Sequence, residues 1–340
     1  MPYEVIITGA TGFVGQRVIQ RIEKYYDKRD ILCLTWSRDF ANRNRHVENA
    51  GRRLLTKLKI KTKDVDLVTR QGLENLPLGV DTVINIAANT NTSDPDHRCN
   101  DEGVVNLLDA LGNIKPKMHF VQISTVAFMT GRLNCDVGID ENTQPIPTNE
   151  YGRTKLRAED YLIKMCKKKG FKLTIIRLNT VYGSGSRPDS MFDLLDKWVK
   201  KDSLITRINW PGMTSIIHVD DAAEAILRLS RMPPVESKYD IFTLYAESLS
   251  FSQINREVYK YLGKSYRPLN FPAWFWKCLA FGRRFIPYLE SILPASWYNP
   301  IWRVGLIEDD VVYCETDKAF KRLPGWKPRK LAANTSQLFF

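Results

Sequence analysis

EVIITGATGFVG, residues 4–15, carries the reading of the fold. A β-branched apolar run at 5–8 reads as a buried strand, an amphipathic run at 14–25 reads as a helix, and three glycines lie in the turn between them. Gly9 permits a tight turn, Gly12 lets the backbone approach a pyrophosphate, and Gly15 allows the helix to pack closely on the strand. The helix N-terminus adds N–H donors and a partial positive charge. Together with Thr11, Phe13 and Val14, these glycines form a candidate dinucleotide-binding segment.

Working outward, short apolar runs alternate with longer amphipathic ones. Strands are expected at 31–36, 65–68, 82–87, 119–124 and 172–178, and helices at 103–111 and 151–168. The pattern predicts an α/β fold, a doubly wound parallel-sheet Rossmann domain with an interleaved smaller C-terminal substrate lobe. The run Lys167 to Lys169 closes a helix and complements its dipole. Beyond Arg177 the alternation loosens, with helices expected at 191–200, 220–229, 251–262 and 317–323. The expected boundaries are 1–178 and 215–249 for the dinucleotide domain, and 179–214 and 250–340 for the lobe.

With 340 residues, 44% hydrophobic and 26% charged, the chain can bury a large core, and disorder is not expected to dominate. The six cysteines are scattered and read as reduced thiols, and the four histidines show no paired spacing, so no metal site is expected. Because 4–8 already reads as a core strand, no cleavable signal is expected ahead of it, and a cytoplasmic location follows. The aromatic stretch 271–302 is interrupted by too many charges to span a bilayer; it can line a pocket, form the lobe's own core, or rest on a membrane surface as a peripheral contact. The net charge of +12 favours an anionic partner. A small-molecule substrate is expected and nucleic acid is not.

Past the second strand, a carboxylate would select a free ribose 2′-hydroxyl and a basic residue would take a 2′-phosphate. Arg38 stands there, beside Asp39, and tilts the cofactor from NAD toward NADP. Tyr151 and Lys155, four residues apart, share one helix face. Phenol has a reference pKa of about 10, so a nearby cation is needed for it to exchange protons near neutrality. Ser124 and Thr125 end a strand at the carboxyl edge of the sheet, where either can hydrogen-bond a substrate oxygen; Thr125 is the favoured one. His218 precedes a helix that Asp220 or Asp221 would cap, and reads as structural.

These residues resemble the extended short-chain dehydrogenase/reductase family, also called the NAD-dependent epimerase/dehydratase family. The likeness rests on residues 8–15, DTVINIAA at 81–88, NDEGVVNLL at 100–108, Ser124-Thr125, Tyr151 to Lys155, RLNTVYG at 177–183, HVDD at 218–221 and DKAFKRLPGW at 317–326. It implies a Ser/Thr-Tyr-Lys catalytic set, with Asp66 and Leu67 flanking the adenine, Ala87 and Ala88 lining the cofactor groove, and Asn179 and Val181 near the nicotinamide. It also implies a homodimer through the helices that follow Gly103 and begin at Tyr151. The stretch containing Arg303 is similar to the family region that grips a diphosphate, and Arg187 and Arg207 are candidates to assist. Two departures stand out. Residues 126–131 look more like reductases of thioester or fatty-acyl type, and sugar 4,6-dehydratases place Asp and Glu where this chain has Val126 and Ala127.

The expected function is an NAD(P)-dependent oxidoreductase or epimerase acting on a nucleotide-linked sugar. One alternative is an NADPH-dependent reductase of a hydrophobic or lipid-linked carbonyl compound. Another, from a different class, is a non-catalytic dinucleotide-binding protein with an RNA or protein partner.

Overall fold

A computed structural model describes residues 3–36, 45–92, 94–112, 114–132, 134–186, 188 and 190–333. In chain order the elements are β1 (Val5–Thr8), α1 (Phe13–Arg21), β2 (Ile31–Trp36), α2 (Arg45–Leu58), β3 (Lys61–Val65), β4 (Thr82–Asn85), α3 (Glu102–Ala110), β5 (His119–Thr125), α4 (Glu150–Lys169) and β6 (Lys172–Leu178). They continue as β7 (Thr180–Tyr182), α5 (Met191–Lys200), β8 (Met213–His218), α6 (Val219–Ser230), β9 (Tyr239–Leu244), β10 (Glu247–Ser250), α7 (Phe251–Tyr261), α8 (Ala273–Arg283), α9 (Ile286–Leu289), α10 (Ala295–Gly305) and α11 (Lys318–Arg322).

Seven parallel strands form the main sheet in the order β3-β2-β1-β4-β5-β6-β9. The order reverses between β1 and β4, and a crevice at such a reversal is where open α/β sheets take their ligands. Successive side chains of a strand point to opposite faces. Val5 and Ile7 accordingly pack with α1 and α6, while Ile6 packs with α3 and α4 on the other face. Burial on both faces explains why VIIT shows no polar alternation. A second sheet, β10-β8-β7, packs with α5 and α7 around Tyr182, Phe192 and Trp210.

The structure shifts several expected boundaries. The third strand is 61–65, not 65–68: its alternating charged residues suit a sheet edge, and Asp66 ends it by accepting from the N–H groups of Val68 and Thr69 at 2.9 and 3.0 Å. Helix α1 stops at Arg21, ahead of a single 3₁₀ turn. β4 stops at Asn85 because the next two residues bend beneath Gly9. Four helices that the pattern did not announce are α2, whose buried stripe is only Glu48, Gly51 and Leu55, and α8 to α10, whose aromatics and prolines read as irregular. The cap of α6 is neither aspartate but His218, whose Nδ1 accepts from the Asp220 N–H at 3.2 Å. Asp220 instead faces Arg21 at 2.9 Å and Arg329 at 3.3 Å.

Candidate functional site

The glycine turn lies at the carboxyl end of β1. Gly9 has φ of +68°, and a Cβ there would stand 2.5 Å from the Ala87 nitrogen, so the turn is seated directly on the segment after β4. A Cβ at Gly15 would meet the Gly9 carbonyl at 2.0 Å, which makes that glycine the contact between helix and turn. At Gly12, among the described residues, only the Gly9 carbonyl lies within reach, at 3.3 Å, which leaves that side of the loop open to them. Among the described residues, helix α1 has no acidic residue in its first turn and no side-chain cap, which leaves its donors available to an anion. Phe13 and Val14 are its first two residues, both half-buried.

Sequence reasoning missed what supports this turn from the α2 side. Thr11 donates to Glu48, a buried carboxylate that also accepts from Arg52 Nε at 3.1 Å. Arg52 reaches Asp64 at 3.0 Å and donates to the Trp36 carbonyl at the end of β2. A Cβ on Gly51 would lie 2.4 Å from Thr11 Cα. Only the i,i+4 spacing of Glu48 and Arg52 was visible in the sequence. Arg38 and Arg187 lie outside the described residues.

Tyr151 and Lys155 stand in the first turns of α4, whose N-cap Asn149 accepts from the Gly152 N–H at 2.8 Å. The middle of α4 is tied to β6 by Glu159, which pairs with Arg177 at 2.8 Å with both side chains buried. Lys155 is 2% exposed, and its Nζ donates to the Ile123 carbonyl at 2.9 Å. Burial lowers its pKa from 10.5 to about 8, against the opposing charges of Cys99 and Glu159. The Tyr151 ring packs at 5.9 Å from the ring of His97, whose Nδ1 lies 3.1 Å from the Asn89 carbonyl. His97 was not singled out from the sequence, where a lone histidine gives no signal.

Ser124 and Thr125 end β5 beside β6. Thr125 Oγ1 accepts from the Ala127 N–H at 3.1 Å, whereas the buried Ser124 hydroxyl has no partner among the described residues. A buried hydroxyl without a partner is costly unless a ligand completes it. A buried hydrogen-bond chain also runs along this edge. The Ala87 N–H donates to Thr8, Thr8 to Asn85, Asn85 to Gln122 at 2.8 Å, and Gln122 to the Ile123 carbonyl at 2.9 Å. That carbonyl is the one Lys155 holds, so the chain connects the glycine turn to the lysine.

Among the other expected residues, Ala88 is half-buried after β4, and the Asp66 carboxylate is engaged in its own turn. Leu67 packs in the core against Gly103. Asn179 donates to the Leu244 carbonyl at 3.0 Å and accepts from Cys314, while Val181 is half-buried on β7. Arg207 donates to the Arg267 carbonyl at 3.3 Å. Arg303 follows Trp302 on α10, and the Trp302 indole donates to Thr148 at 2.7 Å, three residues before Tyr151. Val126 is buried with Phe128 and Met129. No group of three or more His, Cys, Asp or Glu among the described residues could hold a metal ion.

A glycine turn at the reversal of a parallel sheet, with a Tyr/Lys helix that follows the strand two places away, defines a Rossmann protein of the dehydrogenase type. The chain belongs to the NAD dependent epimerase/dehydratase family, whose model matches residues 5–244. Among curated proteins it is 24% identical over 300 residues to a UDP-glucose 4-epimerase of Vibrio cholerae, covering 84% of this chain and 83% of that one. It is 25% identical over 253 residues to a trifunctional UDP-glucose 4,6-dehydratase/UDP-4-keto-6-deoxy-D-glucose 3,5-epimerase/UDP-4-keto-L-rhamnose-reductase of Arabidopsis thaliana; the match covers 71% of this chain but 37% of that larger protein. The fold superposes with a TM-score of 0.70 on UDP-glucuronic acid 4-epimerase from Bacillus cereus, solved with UDP-glucuronic acid and NAD, at 19% identity over 98% of this chain and 97% of that one.

Proposed function

We propose that the chain is an NAD(P)-dependent oxidoreductase or epimerase of a nucleotide-linked sugar. The observation that carries this reading is the buried Lys155 ammonium one turn from Tyr151, at the same sheet edge as the unpartnered Ser124 hydroxyl. The open face of Gly12 and the uncapped start of α1 fit a dinucleotide pyrophosphate. When bound, the nicotinamide supplies the hydride acceptor and donor. Tyr151 moves the proton at the substrate hydroxyl or carbonyl oxygen, Lys155 favours its phenolate, and one of the two hydroxyls that end β5, Ser124 or Thr125, donates to that same oxygen. Arg303 is the arginine we assign to a diphosphate, with Arg187 and Arg207 as candidates to assist. Buried Val126 and its neighbour Ala127 offer no acid for removing water, which favours epimerisation or simple redox over dehydration.

Arg38 leads us to place NADP(H) ahead of NAD(H). The test is incubation with UDP-sugars and either cofactor, with products resolved by NMR. Wild type should convert at least one sugar. Tyr151→Phe should lose turnover by at least ~100-fold while still binding cofactor. A second reading, reduction of a hydrophobic or lipid-linked carbonyl compound, is favoured by the exposed aromatics of α8 to α10 close to α4. Oxidation of NADPH by a long-chain acyl thioester, with every UDP-sugar inert, would replace the first reading with the second.

A further inference from the structure

The late aromatic segment divides into two populations. Trp276 and Leu279 pack on the lobe core, and Tyr298 and Trp302 are buried with their polar atoms on Thr148. Most of the remaining large apolar side chains point outward. Among the described residues fifteen large apolar side chains are exposed, and nine of them fall within residues 269–301. Trp274 is 66% exposed, Phe281 60% and Trp297 70%, far more than scattered surface apolars explain. On α8, Trp274, Cys278 and Phe281 follow each other at helical spacing, so the helix carries an outward apolar stripe opposite the one that faces the core.

The charges along this segment are mostly basic. Between Glu257 and Glu308 the chain has seven Lys or Arg and a single acid, Glu290. Glu290 is already held by Arg153, at 2.6 and 3.0 Å. Lys277 and Arg284 are exposed on the flank of the stripe, and the Arg284 guanidinium lies 5.7 Å from the centre of the Phe281 ring. A second copy of this chain fits poorly, because two-fold pairing of a patch with itself would set these cations against each other. Exposed Trp and Phe interleaved with Lys and Arg match the chemistry of a lipid headgroup boundary. Among the described residues no helix is long and apolar enough to cross a membrane, so the face would rest on a bilayer without spanning it.

We propose that the α8–α10 face docks on an anionic lipid bilayer, with Trp274, Phe281 and Trp297 entering the headgroup boundary and Lys277 and Arg284 meeting the anionic headgroups. Because Arg153 joins Glu290, and Tyr298 donates to the Thr148 carbonyl at 2.7 Å, docking would hold the start of α4 beside the membrane.

The experiment is co-sedimentation of the full chain with phosphatidylcholine vesicles, with and without phosphatidylserine, at low and high salt. Sedimentation is expected with phosphatidylserine only, and it should weaken as salt rises. Replacing Lys277→Gln and Arg284→Gln should weaken it about fivefold per charge. Trp274→Ser with Phe281→Ser should reduce it at least ~10-fold while circular dichroism stays unchanged, since both side chains are exposed. No sedimentation with phosphatidylserine vesicles, equal sedimentation with neutral ones, or undiminished binding by the Trp274/Phe281 variant would each overturn the proposal. So would a dimer that ignores vesicles and is dissolved by the same two substitutions, which would make the face a contact between copies.

Discussion

Lys155 brings an ammonium into a site where almost none of it meets water, with the Ile123 carbonyl as its hydrogen-bond acceptor. Below about pH 8 it is charged in both the folded and the unfolded chain, and the burial penalty is present in full. As pH rises through 8, the folded chain releases the proton while the unfolded chain keeps it up to 10.5. The unfolded state then binds more protons, so stability must rise with pH across that window, by up to ~1.4 kcal/mol per pH unit. Lys155→Met removes the titration. Urea melts of both proteins, run near neutrality and again about two units higher, should show wild type gaining on the variant; parallel pH profiles would contradict the burial assigned to Lys155. Tyr151 and Lys155 were readable in the sequence because one helix fixes their spacing. Asn85, Gln122 and His97 were not, since each matters through a partner far away in the chain.

At the scale of elements, the glycine turn depends on α2 as much as on α1. Gly51→Ala would drive a methyl group into the Thr11 backbone, which cannot yield as a flexible side chain would. Overpacking of this kind costs about 1–3 kcal/mol. The retreat of α2 should also weaken dinucleotide binding, read by titration with NADPH, whereas an alanine that leaves both melting and binding unchanged would show that α2 does not brace the turn. The inner elements were legible because period and glycine punctuation speak locally: β1, β2 and β6 fall where the sequence places them. Helix α2 was not legible, because its buried face is a carboxylate, a glycine and one leucine. The third strand was misplaced because an edge strand needs few apolar residues, and the apolar residues after it belong to a turn.

Across the whole molecule, the crevice at the β1/β4 reversal, the start of α4 and the exposed face of α8–α10 are physically connected. The hydrogen-bond chain from Ala87 to Lys155 spans the first two, and the contacts of Thr148 and Arg153 join α4 to the third. The net charge of +12 suits a phosphate-bearing cofactor in the crevice and an anionic surface at the face. The central claim concerns the crevice: it binds a nicotinamide dinucleotide that Tyr151 and Lys155 put to chemical use. The measurement that tests it most directly is to denature the purified protein, identify any released dinucleotide, and titrate the stripped protein with NADPH and NADH. Saturable binding of a nicotinamide dinucleotide, with NADPH tighter than NADH, is the predicted result. Binding of neither dinucleotide would contradict the account and leave the chain as a Rossmann fold used for something other than redox chemistry.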